Sequence, residues 1–267
     1  MLHHDHTSEN FKMFRHNDRN EKVNGIKILN ERIRKCDRCQ LSSGRINAIC
    51  GEGSLHAKIF FIAQAPGEIE DRDGRMFIGP TGAVMDELLD EIHMSRNEVY
   101  MTNLLKCKLP GNRKPKNKEI ELCSLYLQEE IAIINPKFLI PLGYHSTKYV
   151  LGNFCSEKSL PTDPAGKLFF CNGLKIYPLP HPSSVLFNPS IKQQVIRSFK
   201  KIAVFKEDCK WYPVCPMKKF FEEGRLDRKW IELYCKGDWE SCVRFQMEEN
   251  YQMHSDNMLP DGSFRDL

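Results

Sequence analysis

A short apolar run that ends in a proline–glycine turn is the feature that most constrains how this chain folds. Residues 59–63 are rich in β-branched and aromatic side chains, which predicts a buried strand. Pro66 and Gly67 end it, because proline cannot donate to a β-ladder and glycine permits turn geometry. Polar and acidic residues follow, and open α/β sheets bind their ligands at such strand ends. The segment predicts either a ligand-binding turn or an ordinary connection between a strand and a helix.

Strand patterns alternate with helical patterns along most of the remaining chain. Further strands are predicted at 99–105, 138–142 and 174–179. The helical patterns lie at 21–35, 84–92, 119–134, 145–151 and 190–205. Such alternation predicts a parallel sheet covered by helices on both faces. The expected fold class is therefore α/β, with three α/β/α layers around a central four-stranded, mainly parallel sheet, followed by a small cysteine-rich helical module.

Composition and charge divide the chain into three expected parts. Residues 1–20 are polar and histidine-rich, which predicts a disordered tail; 21–205 would form the α/β domain and 206–267 the cysteine-rich module. The formal charge of +4 permits a nucleic-acid partner without requiring one. The sequence shows neither a signal-peptide pattern nor an apolar run long enough for a membrane span. We therefore expect a soluble, cytoplasmic protein, and we expect a monomer.

Eleven cysteines in such a chain predict metal or cluster ligation rather than disulfides. A first set suits zinc as well as an iron–sulfur cluster, and consists of Cys36, Cys39, Cys107 and Cys123. A second set has gaps wider than those of a zinc finger, which favours a cluster over zinc, and consists of Cys209, Cys215, Cys235 and Cys242. A plain cysteine-rich helical tail is the alternative for the second set. Cys50, Cys155 and Cys171 are expected to be ordinary thiols.

Three motifs, in order along the chain, carry a resemblance to a known family. The first is Ala63-Gln64-Ala65-Pro66-Gly67 with Glu70-Asp71 and Met76-Phe77-Ile78-Gly79-Pro80-Thr81-Gly82. The second is Thr102-Asn103-x-x-Lys106-Cys107, and the third is His181-Pro182-Ser183. Together they make residues 33–205 similar to the family 4 (iron–sulfur) uracil-DNA glycosylases.

The resemblance implies an enzyme that hydrolyses the N-glycosidic bond of uracil in DNA, as a monofunctional glycosylase of base excision repair. It implies a [4Fe–4S] cluster on the first cysteine set. It also implies a uracil pocket, with Gln64 and His181 catalytic, that is built from Gln64, Ala65, Pro66, Phe77, Asn103 and His181.

Each implied role suits the chemistry of its residue. Phe77 would stack on the flipped base, and the Asn103 carboxamide would match the pairing edge of uracil. His181 would donate to the oxygen that gains charge as the base leaves. Taken singly, these side chains also fit structural roles: a core phenylalanine, a turn asparagine and a loop histidine.

The turn departs from the family pattern at two positions. Ala63 replaces a glycine, and Gln64 replaces a glutamate that is taken to position water and stabilise the cationic sugar. Glutamine can orient water but carries no charge. Glu68, Glu70 or Asp71 are the candidates to supply that charge. Two other functions therefore stay open: a glycosylase for another deaminated base, and a non-catalytic iron–sulfur protein that binds nucleic acid.

Basic residues are expected to form a DNA-binding surface near the pocket, from the loop at 106–118 and the helix at 190–206. In similar enzymes a loop after the last motif inserts into the duplex, which makes Leu186 or Phe187 the candidate wedge. The expected DNA contacts are Lys106, Lys108, Arg113, Lys114, Ser183, Ser184, Leu186 and Phe187. The cysteine-rich module could instead direct the protein to RNA or to a protein partner.

Overall fold

One mixed sheet forms the centre of the fold in the computed structural model, which describes residues 19–155 and 161–265. Its six strands, in the described part of the chain, are β1 (Glu52–Gly53), β2 (Ile59–Ala63), β3 (Val99–Asn103), β4 (Phe138–Pro141), β5 (Phe169–Cys171) and β6 (Leu174–Ile176). They lie in the order β1-β3-β2-β4-β6-β5. The central four, β3, β2, β4 and β6, are parallel, as predicted. The short strands β1 and β5 add antiparallel edges that the sequence analysis missed.

The α-helices lie on both sides of this sheet and beyond it. They are α1 (Arg19–Arg34), α2 (Glu68–Asp73), α3 (Pro80–Asp90), α4 (Asn117–Ile134), α5 (Tyr144–Phe154), α6 (Ser183–Phe187), α7 (Lys192–Phe205), α8 (Pro216–Glu222), α9 (Arg228–Trp230) and α10 (Val243–Glu249). Helix α1 includes the last two residues of the predicted 1–20 tail, and the rest of that tail lies outside the described residues. Within residues 19–155 and 161–265, every helix falls short of the length or apolar character that crossing a membrane requires.

Alternate residues of β2 enter opposite apolar cores, as the two-residue period of a strand requires. Phe61 packs in a core with α3 and α7, whereas Phe60 packs in a core with α1, α4 and α5. Both faces of the sheet are therefore covered. The three-layer α/β/α arrangement expected from the sequence is confirmed.

Residues after α7 pack around a small cluster of their own. Its buried members are Met217, Phe220, Leu226, Ile231, Cys235 and Leu259. The Trp239 indole N–H donates to the Val204 carbonyl oxygen at 3.1 Å, and its ring packs against the core that α7 covers. Lys201 of α7 pairs with Asp238 at 3.0 Å. The C-terminal residues are thus docked on α7, while the domain boundary after residue 205 stays a prediction.

Cys155 and Cys171 form a disulfide, so their expectation as ordinary thiols was wrong. Cys155 follows α5 and Cys171 ends β5, which brings their Cα atoms to 4.9 Å. This proximity depends on an antiparallel edge strand that sequence periodicity did not reveal. Cys50 is a free buried thiol, as expected, and burial raises its pKa to about 11.

Candidate active site

A cavity of about 560 Å³ opens at the carboxyl ends of the central strands. The residues predicted for base binding all line it: Gln64, Ala65, Pro66, Phe77, Asn103 and His181. These residues together span more than a hundred positions of the chain, from Gln64 to His181. Their assembly follows from the parallel order of β3, β2, β4 and β6, which brings the ends of the strands to one edge.

The turn after β2 is fixed to the end of β3 by two backbone hydrogen bonds. The Leu104 N–H donates to Ala63 O at 2.8 Å, and the Leu105 N–H donates to Gln64 O at 2.9 Å. The backbone of Gln64 is therefore fixed, and its half-buried side chain lines the cavity wall. At Gly67 an added Cβ would lie 2.5 Å from Glu70 Oε2, so the Glu70 carboxylate lies close against this turn.

Glu70 is the carboxylate held inside the cavity. Its side chain is buried, lines the cavity and accepts a hydrogen bond from the Gly79 N–H at 3.1 Å. Its charge also raises the pKa of His181, although burial outweighs this effect. Of the three acidic residues proposed for charge stabilisation, Glu70 is the one whose buried side chain lines the cavity.

The other two candidates point elsewhere. Asp71 is fully buried and accepts hydrogen bonds from the backbone N–H groups of Ile46 and Asn47 at 3.1 and 3.2 Å. Its expected role as charge stabiliser was wrong, because neighbouring residues of a helix face different directions. Glu68 lies at the rim with a 79% exposed side chain, and it pairs with Lys108 at 2.7 Å.

Phe77 lines the cavity from a left-handed backbone conformation, with φ of 49°. Such a conformation is costly for a bulky residue and is found where other contacts hold it. Arg96 donates to the Phe77 carbonyl oxygen at 2.6 Å and pairs with Asp86. An added Cβ at Gly82 would collide with the same carbonyl oxygen. The sequence analysis missed Arg96, because it lies in a polar turn 19 residues after Phe77.

Asn103 projects into the cavity from the end of β3 and is only 2% exposed. Its Nδ2 donates to Met76 Sδ at 3.0 Å. The Asn103 carbonyl oxygen accepts a hydrogen bond from Lys106 Nζ at 2.9 Å. The backbone that carries the Asn103 side chain is thus tied to a buried cation.

Lys106 is that buried cation, so its expected role as a DNA contact was wrong. Its side chain is 1% exposed, and Nζ lies 2.6 Å from Glu130 Oε2 and 2.6 Å from Thr102 Oγ1. The basic loop made Lys106 look like a surface residue. A signal for burial was present in α4, because Glu130 lies at helical spacing from Leu127 and Ile134 on the apolar face.

His181 is held in a defined tautomer by Ser183. The Ser183 N–H donates to His181 Nδ1 at 3.3 Å, and Ser183 Oγ lies 2.8 Å from the same atom. Nδ1 is therefore the acceptor, and the ring proton resides on Nε2. Burial lowers the pKa of His181 to about 4, so the ring is neutral at pH 7. Gly143 has a positive φ of 82°, and a Cβ at this position would lie 3.3 Å from the His181 Cβ. The absence of a side chain at Gly143 therefore leaves space beside His181.

Exposed aromatic side chains surround the cavity mouth. The predicted wedge loop is the short helix α6, on which Leu186 and Phe187 line the cavity and are 44% and 88% exposed. Tyr144, at the start of α5, lines the same mouth and is 71% exposed. The sequence analysis did not single out Tyr144. The Ser184 hydroxyl is buried, whereas Ser183 lines the cavity.

The predicted basic surface is largely paired with carboxylates. Lys108 pairs with Glu68, and Arg113 pairs with Glu119. Along α7 the pairs are Lys192 with Glu87, Lys200 with Glu91 and Lys201 with Asp238. Lys114 is exposed beside the loop. Surface ion pairs are weak, so a phosphate can compete for such cations, but the net positive field is smaller than the sequence indicated.

The first cysteine set surrounds a small cavity of about 10 Å³ on the α1 and α4 side of the sheet. It is lined by Cys36, Cys39, Cys107 and Cys123, together with Arg45. Arg45 Nη1 lies 3.1 Å from Cys107 Sγ, and the Lys106 N–H donates to Cys123 Sγ at 3.2 Å. Burial raises the pKa of Cys123 to about 12, so this thiol needs the charge of a bound metal to become a thiolate. Four thiols with hydrogen-bond donors fit a thiolate-ligated centre.

The buried pair of Lys106 and Glu130 yields the first prediction. Replacing Lys106 by Met leaves Glu130 buried without its counter-ion, and we expect the free energy of unfolding to fall by about 3–5 kcal/mol. Chemical denaturation measures it. Lys114→Met, at an exposed position of the same loop, is the matched control and should change stability little. A Lys106→Met/Glu130→Leu double variant should recover part of the loss; equal stability of Lys106→Met and Lys114→Met would contradict the assignment.

Comparison with known proteins agrees with the site. A profile of the uracil DNA glycosylase superfamily matches residues 50–203. The type-4 uracil-DNA glycosylase of Sulfurisphaera tokodaii is 37% identical over 185 residues, which cover 67% of this chain and 84% of that protein. The type-4 enzyme of Saccharolobus solfataricus is 38% identical over 185 residues, with 67% and 86% covered. That of Thermotoga maritima is 34% identical over 182 residues, with 67% and 94% covered. The chain belongs to the uracil DNA glycosylase superfamily and, within it, to the type-4 family.

Proposed function

We propose that the protein is a uracil-DNA glycosylase that hydrolyses the N-glycosidic bond between uracil and deoxyribose, as a monofunctional enzyme of base excision repair. The carrying observation is one cavity of about 560 Å³ that Phe77, Asn103 and His181 line beside the Gln64 turn. These side chains supply a ring face, a carboxamide and a neutral hydrogen-bond donor. A flipped base requires these three kinds of contact.

Base recognition depends on Asn103 and Phe77. A carboxamide both accepts and donates, which matches the N3–H and O4 groups of uracil and opposes the donor pattern of cytosine. The Phe77 ring offers the stacking face, and the backbone amides of Gln64 and Ala65 offer donors to the second carbonyl. Pro66 limits the turn geometry. Lys106 acts indirectly, because it holds the Asn103 backbone.

His181 stabilises the leaving base. As the glycosidic bond breaks, its electron pair goes to the uracil ring and charge collects on O2. The neutral ring donates from Nε2–H, since Nδ1 is occupied by Ser183. A pre-oriented neutral donor gains strength as the oxygen becomes anionic, and it needs no proton from solvent.

Glu70 and Gln64 divide the task that one carboxylate performs in relatives. Gln64 orients the attacking water, whose oxygen adds to the sugar C1′. Its proton passes to bulk water, and the departed uracil anion takes up a proton from the same source. Glu70 supplies the negative charge that stabilises the cationic sugar, because its carboxylate lies in the cavity wall. Glu68 is exposed and already paired, which makes it a weaker candidate.

A [4Fe–4S] cluster on the first cysteine set fits the same assignment. Cys36 and Cys39 follow α1, Cys107 follows β3 and Cys123 lies in α4, so a bound cluster would join these three segments. The group would act as a structural staple. Arg45 would offset its negative charge through Cys107.

Uracil-containing DNA is the proposed partner. Phe187, with its 88% exposed ring, is placed to fill the space that a flipped nucleotide leaves, and Tyr144 offers a second stacking surface across the mouth. Lys114 and the rim cations would contact phosphates. Lys106 has no part in this surface, since it is buried.

Uracil excision is the direct test of the proposal. The anaerobically purified protein is incubated with an oligonucleotide that carries one uracil, followed by alkali to cut abasic sites. We expect scission at the uracil, with a loss of at least a hundredfold in His181→Ala, because an oxyanion donor is removed. Asn103→Asp should weaken excision of uracil selectively. Binding of the same DNA without scission would instead favour the non-catalytic function that Gln64 keeps open.

The position of the negative charge gives a separate prediction. Glu70→Gln keeps the acceptor for the Gly79 N–H but removes the charge, so we expect excision to fall by about a hundredfold. Glu68→Gln is the matched control and should stay within a few-fold of the parent. Single-turnover rates measure both. If Glu70→Gln is as active as Glu68→Gln while Gln64→Glu raises the rate strongly, the site lacks its carboxylate and Glu70 does not replace it.

The lowered pKa of His181 predicts the pH dependence. The ring is neutral above about pH 4, so its protonation should not affect excision between pH 5 and 8. In the unfolded chain the histidine has a pKa near 6.5, so between about pH 6.5 and 4 it is protonated there but not in the folded protein. Proton binding then stabilises the unfolded state, so the free energy of unfolding should decrease as pH falls from about 6.5 to 4. Rate profiles and denaturation midpoints for the parent and His181→Asn measure this. An excision rate that titrates near pH 6.5 in the parent would contradict the neutral-donor assignment.

A further inference from the structure

We propose that the C-terminal residues hold a second iron–sulfur cluster on Cys209, Cys215, Cys235 and Cys242, with Arg244 as its buried counter-charge. The centre lies outside the matched superfamily region at residues 50–203 and is independent of uracil excision.

The four thiols of this set line one cavity of about 80 Å³. Cys209 lies in the segment after α7, Cys215 precedes α8, Cys235 ends a π-helical turn (Ile231–Cys235), and Cys242 precedes α10. Cys209, Cys235 and Cys242 are buried, and the Cys209 N–H donates to Cys235 O at 2.7 Å. The fold thus gathers four sequence-distant thiols on one cavity.

Arg244 provides an independent indication of an anionic ligand. It lines the same cavity and is 2% exposed. Nη1 donates to the carbonyl oxygens of Ser255, Asp256 and Met258 at 2.7–3.1 Å. Nε and Nη2 are buried and have no hydrogen-bond partner among the residues that the structure describes. A buried guanidinium with unmet donors is costly unless a negative group lies beside it.

A set of four metal-bound thiolates is such a negative group. The first cysteine set shows the same pairing of charge, since Arg45 donates to Cys107 Sγ at 3.1 Å. His254 also lines the second cavity, but its Nε2 is 3.0 Å from Glu248 Oε1 and is therefore engaged. The four thiols are accordingly the ligand set.

The geometry favours a cluster over a single ion. Zinc requires its ligands within about 2.3 Å of one point. In residues 19–155 and 161–265, no three Cys, His, Asp or Glu side chains are arranged around one such point. A four-iron cluster takes one thiolate at each iron, so its ligands line a volume instead of meeting at one point, and these four cysteines line one cavity. Each thiol releases its proton to water as its iron–sulfur bond forms. The sulfide, and two ferrous and two ferric ions for each cluster, come from outside the protein, so no thiol is oxidised.

The apolar core of the C-terminal residues is small, so a bound metal centre would contribute to their stability. Its buried core consists of six residues within about sixty, and a core of that size supplies little stability by itself. The chain after α10 continues from 250 to 265 without a long helix or strand. An iron–sulfur cluster would join the start of α8, the π-helical turn and the start of α10 at one point.

Iron counting on the full chain tests the proposal. Protein purified anaerobically and reconstituted with equal amounts of ferrous and ferric iron and with sulfide should carry about eight iron and eight sulfide per chain, from two four-iron clusters. Cys235→Ser and Cys242→Ser should each lower both numbers by half and lower the melting temperature. Cys39→Ser should also lower them by half, through the other set. Cys50→Ser, a buried thiol outside both sets, is the control and should leave the counts unchanged.

Other metal contents would overturn the assignment. Half of the iron together with one zinc per chain, lost in Cys242→Ser, would identify a zinc site. Half of the iron with no second metal, unchanged in Cys235→Ser and Cys242→Ser, would show that the second set binds nothing. Because these readouts are metal contents, they are unaffected by failure of the excision assay.

Substitutions that keep or remove the charge of Arg244 test its role as the counter-charge. Arg244→Lys keeps the cation, whereas Arg244→Met removes it, so Arg244→Met should lose up to half of the total iron on desalting and Arg244→Lys should lose less. The reduced cluster's electron paramagnetic resonance signal from the second site should change in Arg244→Met. Equal iron retention and identical spectra in the parent and both variants would overturn the counter-charge role. If Arg244→Met fails to fold, Arg244→Lys against the parent still tests the spectral effect.

Discussion

The buried ion pair between Lys106 and Glu130 is the interaction on which most of the site depends. Lys106 Nζ contacts Glu130 in α4, Thr102 in β3 and the carbonyl oxygen of Asn103. Its own backbone N–H donates to Cys123 Sγ. One residue therefore connects the sheet edge, the helix that covers it, the Asn103 backbone and the first cysteine set. A buried pair of this kind adds little net stability over apolar packing, but it fixes one arrangement of the groups around it.

This arrangement explains why the cysteine set and the pocket occur together. Cys107 is adjacent to Lys106 in sequence, and Asn103 is four residues before Cys107. Any movement of the segment after β3 would shift both the thiol and the carboxamide. A cluster at the first set would restrain the same segment from its other side, so its structural role would extend to the geometry of base recognition without contact between the cluster and the base.

The sequence predicted the parts of the structure that depend on local pattern. The four parallel strands follow from apolar runs, and the convergence of Gln64, Asn103 and His181 follows from the rule that parallel strands share one carboxyl edge. The features that it missed depend on which way a side chain points and on contacts between residues that are far apart in the sequence. Glu70 and Asp71 are adjacent, yet one faces the cavity and the other the backbone of Ile46, and composition cannot separate them. Lys106 looked exposed because its partner Glu130 is 24 residues further along the chain, in α4. The Cys155–Cys171 disulfide required the missed edge strand β5.

Placing the stabilising negative charge on α2 rather than in the β2 turn, as proposed for Glu70, has an electrostatic consequence. A carboxylate at position 64 would lie directly on the β2 turn, whereas Glu70 lies in the wall and is held by the Gly79 N–H. Its attraction for a proton on His181 is outweighed by burial, so the two groups stay as a neutral donor and a separate anion rather than an ion pair. In the proposed mechanism that separation would suit bond cleavage, because the anion would act on the cationic sugar while the neutral ring would act on the departing base. A protonated His181 paired with Glu70 would weaken both effects, and burial of the ring opposes that protonation.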